Sequence, residues 1–321
     1  MKDLNAPILI TAYNRFKSFK RLVNSLKSYK CKIYISIDGP KNNFDRIQQK
    51  KIIDLIEKVK KNFNLRYRIL GKNLGCQKAI FSSLDWFFSK EEKGIILEDD
   101  SLPSKNFFSF CNKLLIKFAK DKEVFSVSGY TPFNKTEINS DYFFSKIFMC
   151  WGWATWRSSW LTARKFTSKK KWPKLLKTKQ WKLFLNDDLK RRYYNKVYNL
   201  ILSDRIDSWA FLWQLIGAAH GSMFIIPKRN LVKNTGTQTQ STHFTPSNFD
   251  YTNFKTFNFD IKHHPKKNFY DTKLDLDFFY YSLRPKNQLY PWRIKFLIRS
   301  LFLDPKFFFT KVIIFLKKLV K

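Results

Sequence analysis

Apolar and polar positions along the first hundred residues alternate between two periods. Pro7-Ile8-Leu9-Ile10-Thr11 is an apolar run of strand length, and from Arg15 to Tyr29 the residues Phe16, Phe19, Leu22, Val23 and Leu26 recur at helical spacing. Lys32 to Ile37 repeats the strand pattern and stops at Asp38-Gly39-Pro40, a strong turn signal. Ile47 to Phe63 reads as a basic amphipathic helix, Leu65 to Leu70 as a third strand ended by Gly71, and Cys76 to Phe88 as a third helix. Gly94 to Leu97 is a fourth strand that runs into Glu98-Asp99-Asp100. This alternation predicts an α/β fold on a mostly parallel, doubly wound sheet flanked by helices. Ligands of such sheets bind at the carboxyl ends of the strands. The segments Tyr13-Asn14-Arg15, Asp38-Gly39-Pro40, Gly71 to Gly75 and Glu98-Asp99-Asp100 are therefore expected along one edge.

Further along, Phe107 to Ala119 predicts a helix and Val124 to Gly129 a strand ending in glycine. Then the texture changes. Trp151, Trp153, Trp156 and Trp160 crowd one short stretch, which suits either a sugar-stacking pocket or a packed core. Arg164 to Leu202 is basic and mostly helical, with a boundary at Pro173. Trp209 to Ala219 reads as a buried helix and Met223 to Ile226 as a short strand. Asn234 to Phe269 is polar and turn-rich. In the tail, Trp292 to Lys321, the residues Phe308, Val312, Phe315, Leu316 and Leu319 share one helical face, with Lys317 and Lys321 on another. That pattern suits a membrane-surface helix or a terminal helix packed on the domain.

Composition adds a constraint. The 321 residues carry 61 Lys and Arg against 25 Asp and Glu, a net +36, so a polyanionic partner or a phosphorylated substrate is favoured. The joint richness in Lys, Asn, Ile and Phe is also what AT-rich codons produce, so part of the charge needs no functional cause. At 44% hydrophobic residues a sizeable core is available. Cys31, Cys76, Cys111 and Cys150 are widely spaced, without a metal or disulfide pattern, and read as buried free thiols of an intracellular protein. No leader pattern and no apolar run of spanning length stand out, which predicts a cytoplasmic protein, at most peripheral on the inner face of the plasma membrane.

In so basic a chain, three consecutive carboxylates after an apolar strand are notable. Like charges at that spacing repel unless something positive compensates, and a hard divalent cation with oxygen ligands does so. The bland alternative is a solvated acidic turn. Asp38, on the same expected edge, suits acceptance of a hydrogen bond from a base or a ribose, or plain turn chemistry. Arg15, Arg68, Lys72 and Lys78 are near enough in the pattern to neutralise a diphosphate.

These residues resemble a known family. Ile8 to Arg15 is similar to the opening strand and nucleotide loop of GT-A type glycosyltransferases, Ile35 to Pro40 to their second strand with its uridine-contacting Asp, and Asn73-Leu74-Gly75 to the turn before the third helix. Leu97-Glu98-Asp99-Asp100 looks like their DXD-type metal motif in a Glu-Asp-Asp form. With Ser128-Gly129 and Trp151-Gly152-Trp153-Ala154-Thr155-Trp156 downstream, the chain resembles a bacterial family 2-like group. That group is related to the Golgi transferases that add N-acetylglucosamine to mannose.

The resemblance implies a GT-A, Rossmann-like mixed sheet over residues 1–245, with a nucleotide- and metal-binding half (1–130), an acceptor half (131–245) and a C-terminal extension of basic amphipathic helices (246–321). It implies a metal-dependent transfer from a nucleotide-sugar, a UDP-sugar first, to a glycan or lipid-linked acceptor with inversion, as in cell-surface polysaccharide synthesis. Thr11, Tyr13 and Arg15 would frame base and ribose, with Asp38 and Asn73 beside them. Asp100 would ligate Mn²⁺ or Mg²⁺, helped by His243 in the polar C-terminal loop, while Glu98 and Asp99 hold ribose or metal-bound water. Inversion needs a base. Glu137 is the last glutamate, and of the ten aspartates after residue 141 only Asp204 and Asp207 lie outside the tail, the irregular region and the lysine-rich helix. Asp207 is favoured by the resemblance, with an ordinary cap of the following helix as the competing reading. An anionic membrane surface is a further expected partner; nucleic acid is not, since no recognition motif is present. The rival reading of the whole chain is a basic, non-enzymatic binder of nucleic acid or membrane.

Overall fold

A computed structural model describes residues 5–133, 138–236, 254–266 and 270–283. All of these but Leu283 belong to one compact unit, Met1–Phe244 with Phe249–Ser282. The second unit, Thr245–Asn248 with Leu283–Lys321, otherwise falls outside the described residues, and so does the amphipathic pattern expected in the tail.

The first four strands and three helices follow the sequence pattern. They are β1 (Ile8–Ala12), α1 (Phe16–Ser25), β2 (Lys32–Ile37), α2 (Asn43–Val59), β3 (Asn64–Ile69), α3 (Cys76–Phe88) and β4 (Lys93–Glu98). Helix α2 starts earlier than its apolar periodicity, because the Asn42 side chain accepts a hydrogen bond from the Asp45 N–H at 2.9 Å and caps the first turn. The chain continues through β5 (Ser101–Pro103), α4 (Phe107–Lys117), β6 (Val124–Ser128), β7 (Tyr142–Ser145), β8 (Trp153–Trp156), α5 (Arg157–Arg164), α6 (Trp172–Leu175), α7 (Lys179–Phe184) and α8 (Asp188–Leu202). It then forms α9 (Trp209–Ala219), β9 (Met223–Pro227), β10 (Val232–Asn234) and α10 (Thr272–Leu283).

Eight strands form one sheet in the order β3-β2-β1-β4-β8-β6-β9-β7. Strands β3, β2, β1 and β4 are parallel, in a register that sets Ile10 against Ile35 on one side and Leu97 on the other. Strand β8 runs antiparallel between β4 and β6, β9 is parallel to β6, and β7 is antiparallel to β9. The expected fold class holds: the sheet is mixed, mostly parallel and flanked by helices. Strands β1 and β6 are buried at every residue, as central strands of a sheet covered on both faces are.

The tryptophan block is where pattern reading falls short. Trp153 to Trp156 is a central strand, and Trp153 stacks on Trp209 with ring centroids 5.3 Å apart, leaving it 1% exposed. Its bulk fills the core between sheet and α9. Trp151, just outside the strand, is half-buried edge-on against Tyr130. A second sheet pairs β5 with β10, bringing Asn234 opposite Ser101. This pairing returns the chain from residue 232 to the end of the carboxylate trio.

Candidate active site

The parallel register brings the ends of β1, β2 and β4 to one edge, and backbone bonds staple them there. The Asp99 N–H donates to the Thr11 carbonyl and the Asp38 N–H to the Ala12 carbonyl, both at 3.0 Å. Thr11 is buried opposite Glu98. Asp99 uses both oxygens on the loop after β1. Its Oδ2 accepts from the Tyr13 N–H and its Oδ1 from Arg15 Nη1, each at 2.9 Å. Arg15 Nη1 also lies 3.5 Å from Asp100 Oδ2, so one guanidinium spans two of the three carboxylates.

Asp38 forms a socket with the loop before α3. Its Oδ1 accepts from the backbone N–H of Gly39 and of Leu74, and its Oδ2 from Asn73 Nδ2. The backbone N–H of Gly75 also bears on this carboxylate, so an incoming donor would share an acceptor oxygen with the loop. Burial raises the Asp38 pKa against these bonds. Asn73 is committed to this loop: Nδ2 also donates to the Gly39 carbonyl at 2.7 Å, and Oδ1 accepts from the Gly75 N–H at 3.1 Å. Gly39 permits the approach, because a Cβ there would lie 2.2 Å from the Lys72 carbonyl carbon.

Asp45 stands behind the loop. It accepts from the Tyr13 hydroxyl at 2.5 Å, Asn14 Nδ2 at 2.7 Å and the Lys41 N–H at 3.0 Å. Burial pushes its pKa up, but these hydrogen bonds outweigh it and hold the carboxyl below the usual range. Sequence reasoning missed Asp45. The visible signal was an Asp three residues after Asn42 at a helix start, which reads as a cap and nothing more.

Glu98 and Asp100 carry the opposite shift. Burial, together with repulsion from the neighbouring carboxylates, raises both, while Arg15 only partly offsets it. Around them lie two thiols the sequence gave no reason to place together. Burial raises Cys76 and Cys150, and the negative charge of Glu98 bears on both. The Asp100 carbonyl accepts from the Thr235 N–H at 2.7 Å and hydroxyl at 2.9 Å, which holds Thr235, just after β10, against the end of the trio.

Asp207 reaches the same area from the far side. Its charge bears on Cys76, and its Oδ2 lies 3.5 Å from the Gln77 N–H at the start of α3. The side chain of Gln77 donates to the Ser208 carbonyl and fixes that approach. Asp207 is exposed, and the helix it precedes, α9, has no side-chain cap at Ser208. It faces the positive end of α3 instead, where Gly75 holds φ at +80°. Asp204, the other sequence candidate, is paired with Lys169 and exposed. His243 lies outside the described residues.

Among the described residues no group of three His, Cys, Asp or Glu side chains is arranged to hold a metal ion. What the edge offers a cation is the partly neutralised carboxylate of Asp100, with Glu98 near it. Beside Asp100 Oδ2 the space is kept by Gly236, where a Cβ would lie 2.7 Å away. A hard divalent ion that retains waters and phosphate oxygens fits one or two carboxylates of this kind.

No protein-family model matches the chain, and no curated protein does. Several solved structures are similar to it. A mannosyltransferase from Pyrobaculum calidifontis, in complex with GDP-Man and Mn²⁺, aligns over 68% of this chain and 69% of its own at 10% identity, with a TM-score of 0.38. GalNAc-T7 with UDP, GalNAc and Mn²⁺ aligns over 50% and 36% at 12% identity, with a TM-score of 0.36. The glycosyltransferase GlyE of Streptococcus pneumoniae aligns over 70% and 55% at 12% identity, with a TM-score of 0.32. Likenesses at this level carry no argument about activity, which has to come from the residues themselves.

Proposed function

We propose that this chain is a glycosyltransferase moving a sugar from a nucleoside-diphosphate sugar, a UDP-sugar first, to a hydroxyl of a glycan or lipid-linked acceptor, with inversion. The observation that carries the reading is one sheet edge holding both halves of a nucleotide-diphosphate site. On it lie the Asp38 socket, and Glu98 and Asp100 with Arg15 only partly neutralising them.

In this reading Thr11, Tyr13 and Arg15 frame base and ribose, and Asp38 accepts from a base N–H. Asn73 positions the Asp38 loop. Asp99 holds Arg15 and Tyr13, with its remaining lone pairs turned to ribose. Asp100, with His243, would hold Mn²⁺ or Mg²⁺, and Glu98 would hold ribose or metal-bound water. Such an ion supplies positive charge to a departing diphosphate. Asp207, which faces the start of α3, takes the proton of the acceptor hydroxyl. The acceptor oxygen then bonds to the anomeric carbon, and the bond from that carbon to the diphosphate breaks, its electron pair leaving with the phosphate.

The test is nucleotide release from a panel of UDP- and GDP-sugars with Mn²⁺, with and without mannose-bearing oligosaccharides. Acceptor-dependent UDP release that Asp207→Asn lacks is the expected result. Absence of release from every donor, with folded protein and metal present, overturns the reading.

A further inference from the structure

The helical stretch between β8 and α9 carries a charge that the candidate active site does not use. From Arg157 to Arg205 the sequence has fifteen lysines and arginines against three aspartates. All three aspartates are engaged. Asp187 caps α8 and accepts from the Tyr280 hydroxyl at 2.8 Å, Asp188 faces Arg191 and Arg192, and Asp204 faces Lys169. Lys190 is withdrawn into the interior against Asp275. Lys170, Lys174, Lys177, Lys179 and Lys182 remain exposed, and none meets a carboxylate among the described residues.

The surface they form is amphipathic. On α7, Trp181 and Phe184 face inward, while Lys179, Lys182 and Leu183 share the outer face at helical spacing. Leu183 is 62% exposed, the highest value of any large apolar side chain among the described residues. Beside it opens a cleft of about 400 Å³, with Lys182 and Arg191 on its rim and Trp181, Leu185 and Tyr198 beneath. A leucine set among lysines, next to a cleft with a cationic rim and an apolar base, matches a phospholipid surface in cross-section. Apolar groups and lysine stems enter the interface, and ammonium groups meet anionic headgroups. Single-stranded nucleic acid asks for exposed stacking rings, whereas Trp181 and Tyr198 are 2% and 1% exposed.

We propose that the α6–α7 face, Lys170 to Leu183, docks this protein on an anionic phospholipid bilayer, with the Lys182–Arg191 cleft receiving a headgroup phosphate. The inference does not depend on sugar transfer, and it assigns the contact to a different part of the chain from the tail.

Full-length protein would be sedimented with vesicles of phosphatidylcholine alone, and with vesicles carrying about 30% phosphatidylglycerol, over a salt series. Wild type is expected to bind the anionic vesicles at least about tenfold more tightly, with affinity falling as salt rises. Changing Lys174, Lys177, Lys179 and Lys182 together to Glu should remove at least about tenfold of that affinity. Leu183→Ser should weaken binding by a smaller factor without changing the salt slope. Both variants should keep the wild-type melting temperature, since all five side chains are exposed. Equal binding to the two vesicle types, unchanged binding by the fourfold variant, or tighter binding to single-stranded DNA than to vesicles at physiological salt would each overturn the proposal. Failure of nucleotide to bind would leave the vesicle result untouched, so the two readings fall separately.

Discussion

The edge built by β1, β2 and β4 and the helical stretch from Arg157 to Arg205 both concentrate charge, and they handle it in opposite ways. At the sheet edge three acidic groups are tied by short hydrogen bonds to a neighbouring loop, and Glu98 and Asp100 are not: Asp99 bonds to Tyr13 and Arg15, Asp38 to Leu74 and Asn73, Asp45 to Tyr13 and Asn14. Those bonds fix the loops before any ligand arrives, which is the preorganisation a reaction site needs. On the helices the lysines project into solvent and meet few acids, so their geometry is loose and their effect is summed potential. A charge that is buried and bonded sets position; a charge that is exposed and unpaired sets what the surface attracts.

Substitutions sharpen this contrast. The largest expected effect is at Asp100. Asp100→Ala should lower turnover by roughly a hundredfold or more and abolish metal-dependent nucleotide binding, measured as kcat and as nucleotide-induced stabilisation. Asp207→Asn should cost about a hundredfold to ten-thousandfold in kcat while nucleotide binding stays at the wild-type level. Loss of binding in that variant would assign Asp207 to the donor instead of the acceptor.

The helical stretch holds one exception to its loose geometry, the interior pair Lys190–Asp275. Asp275 is fully buried and accepts from Ser145, Tyr270 and Lys190. Asp275→Ala should destabilise the fold by about 3–5 kcal/mol in denaturant titration, because it strands a buried ammonium. Replacing Lys190 with Met in the same chain should recover a large part of that loss.

Asp45→Asn should raise the donor KM more than it lowers kcat, since Asp45 holds Tyr13 and Asn14, and Tyr13 is proposed to frame base and ribose. The pH profile carries a sign. The folded-state pKa of Asp45 is depressed, so its stabilisation is present above the unfolded value and is lost as pH falls through the folded one. Wild type should therefore lose more stability than Asp45→Asn on acidification. The smallest effect is expected at Asp204. It is exposed, has φ at +58°, and its side chain bonds only Lys169 among the described residues, so Asp204→Gly should leave both melting temperature and turnover near wild type.

Much of the sheet edge was legible because each of its loops follows its own strand directly. Asp38 ends one apolar run and Glu98-Asp99-Asp100 another, and parallel strands bring such ends together without long-range information. Helix α3 matches its apolar pattern residue for residue, from Cys76 to Phe88. The rest depends on returns of the chain that local periodicity does not encode. Strand β8 lies between two strands distant in sequence, and its tryptophans read equally well as a pocket. Cys150 and Thr235 join the carboxylates only through β8 and the β5–β10 pairing. Asp45 was hidden by its second role near a helix start, and α10 by its place next to a basic tail.

The most direct test of the account is thermal unfolding of wild type and Asp100→Ala with UDP, GDP, CMP and ADP, each with and without Mn²⁺. A ligand at about one hundred times its Kd adds about 2.7 kcal/mol, a shift of a few degrees for a domain of this size. Stabilisation of wild type by UDP only with Mn²⁺, and none of Asp100→Ala, is the predicted result. Wild type indifferent to every nucleotide in the presence of metal would contradict it.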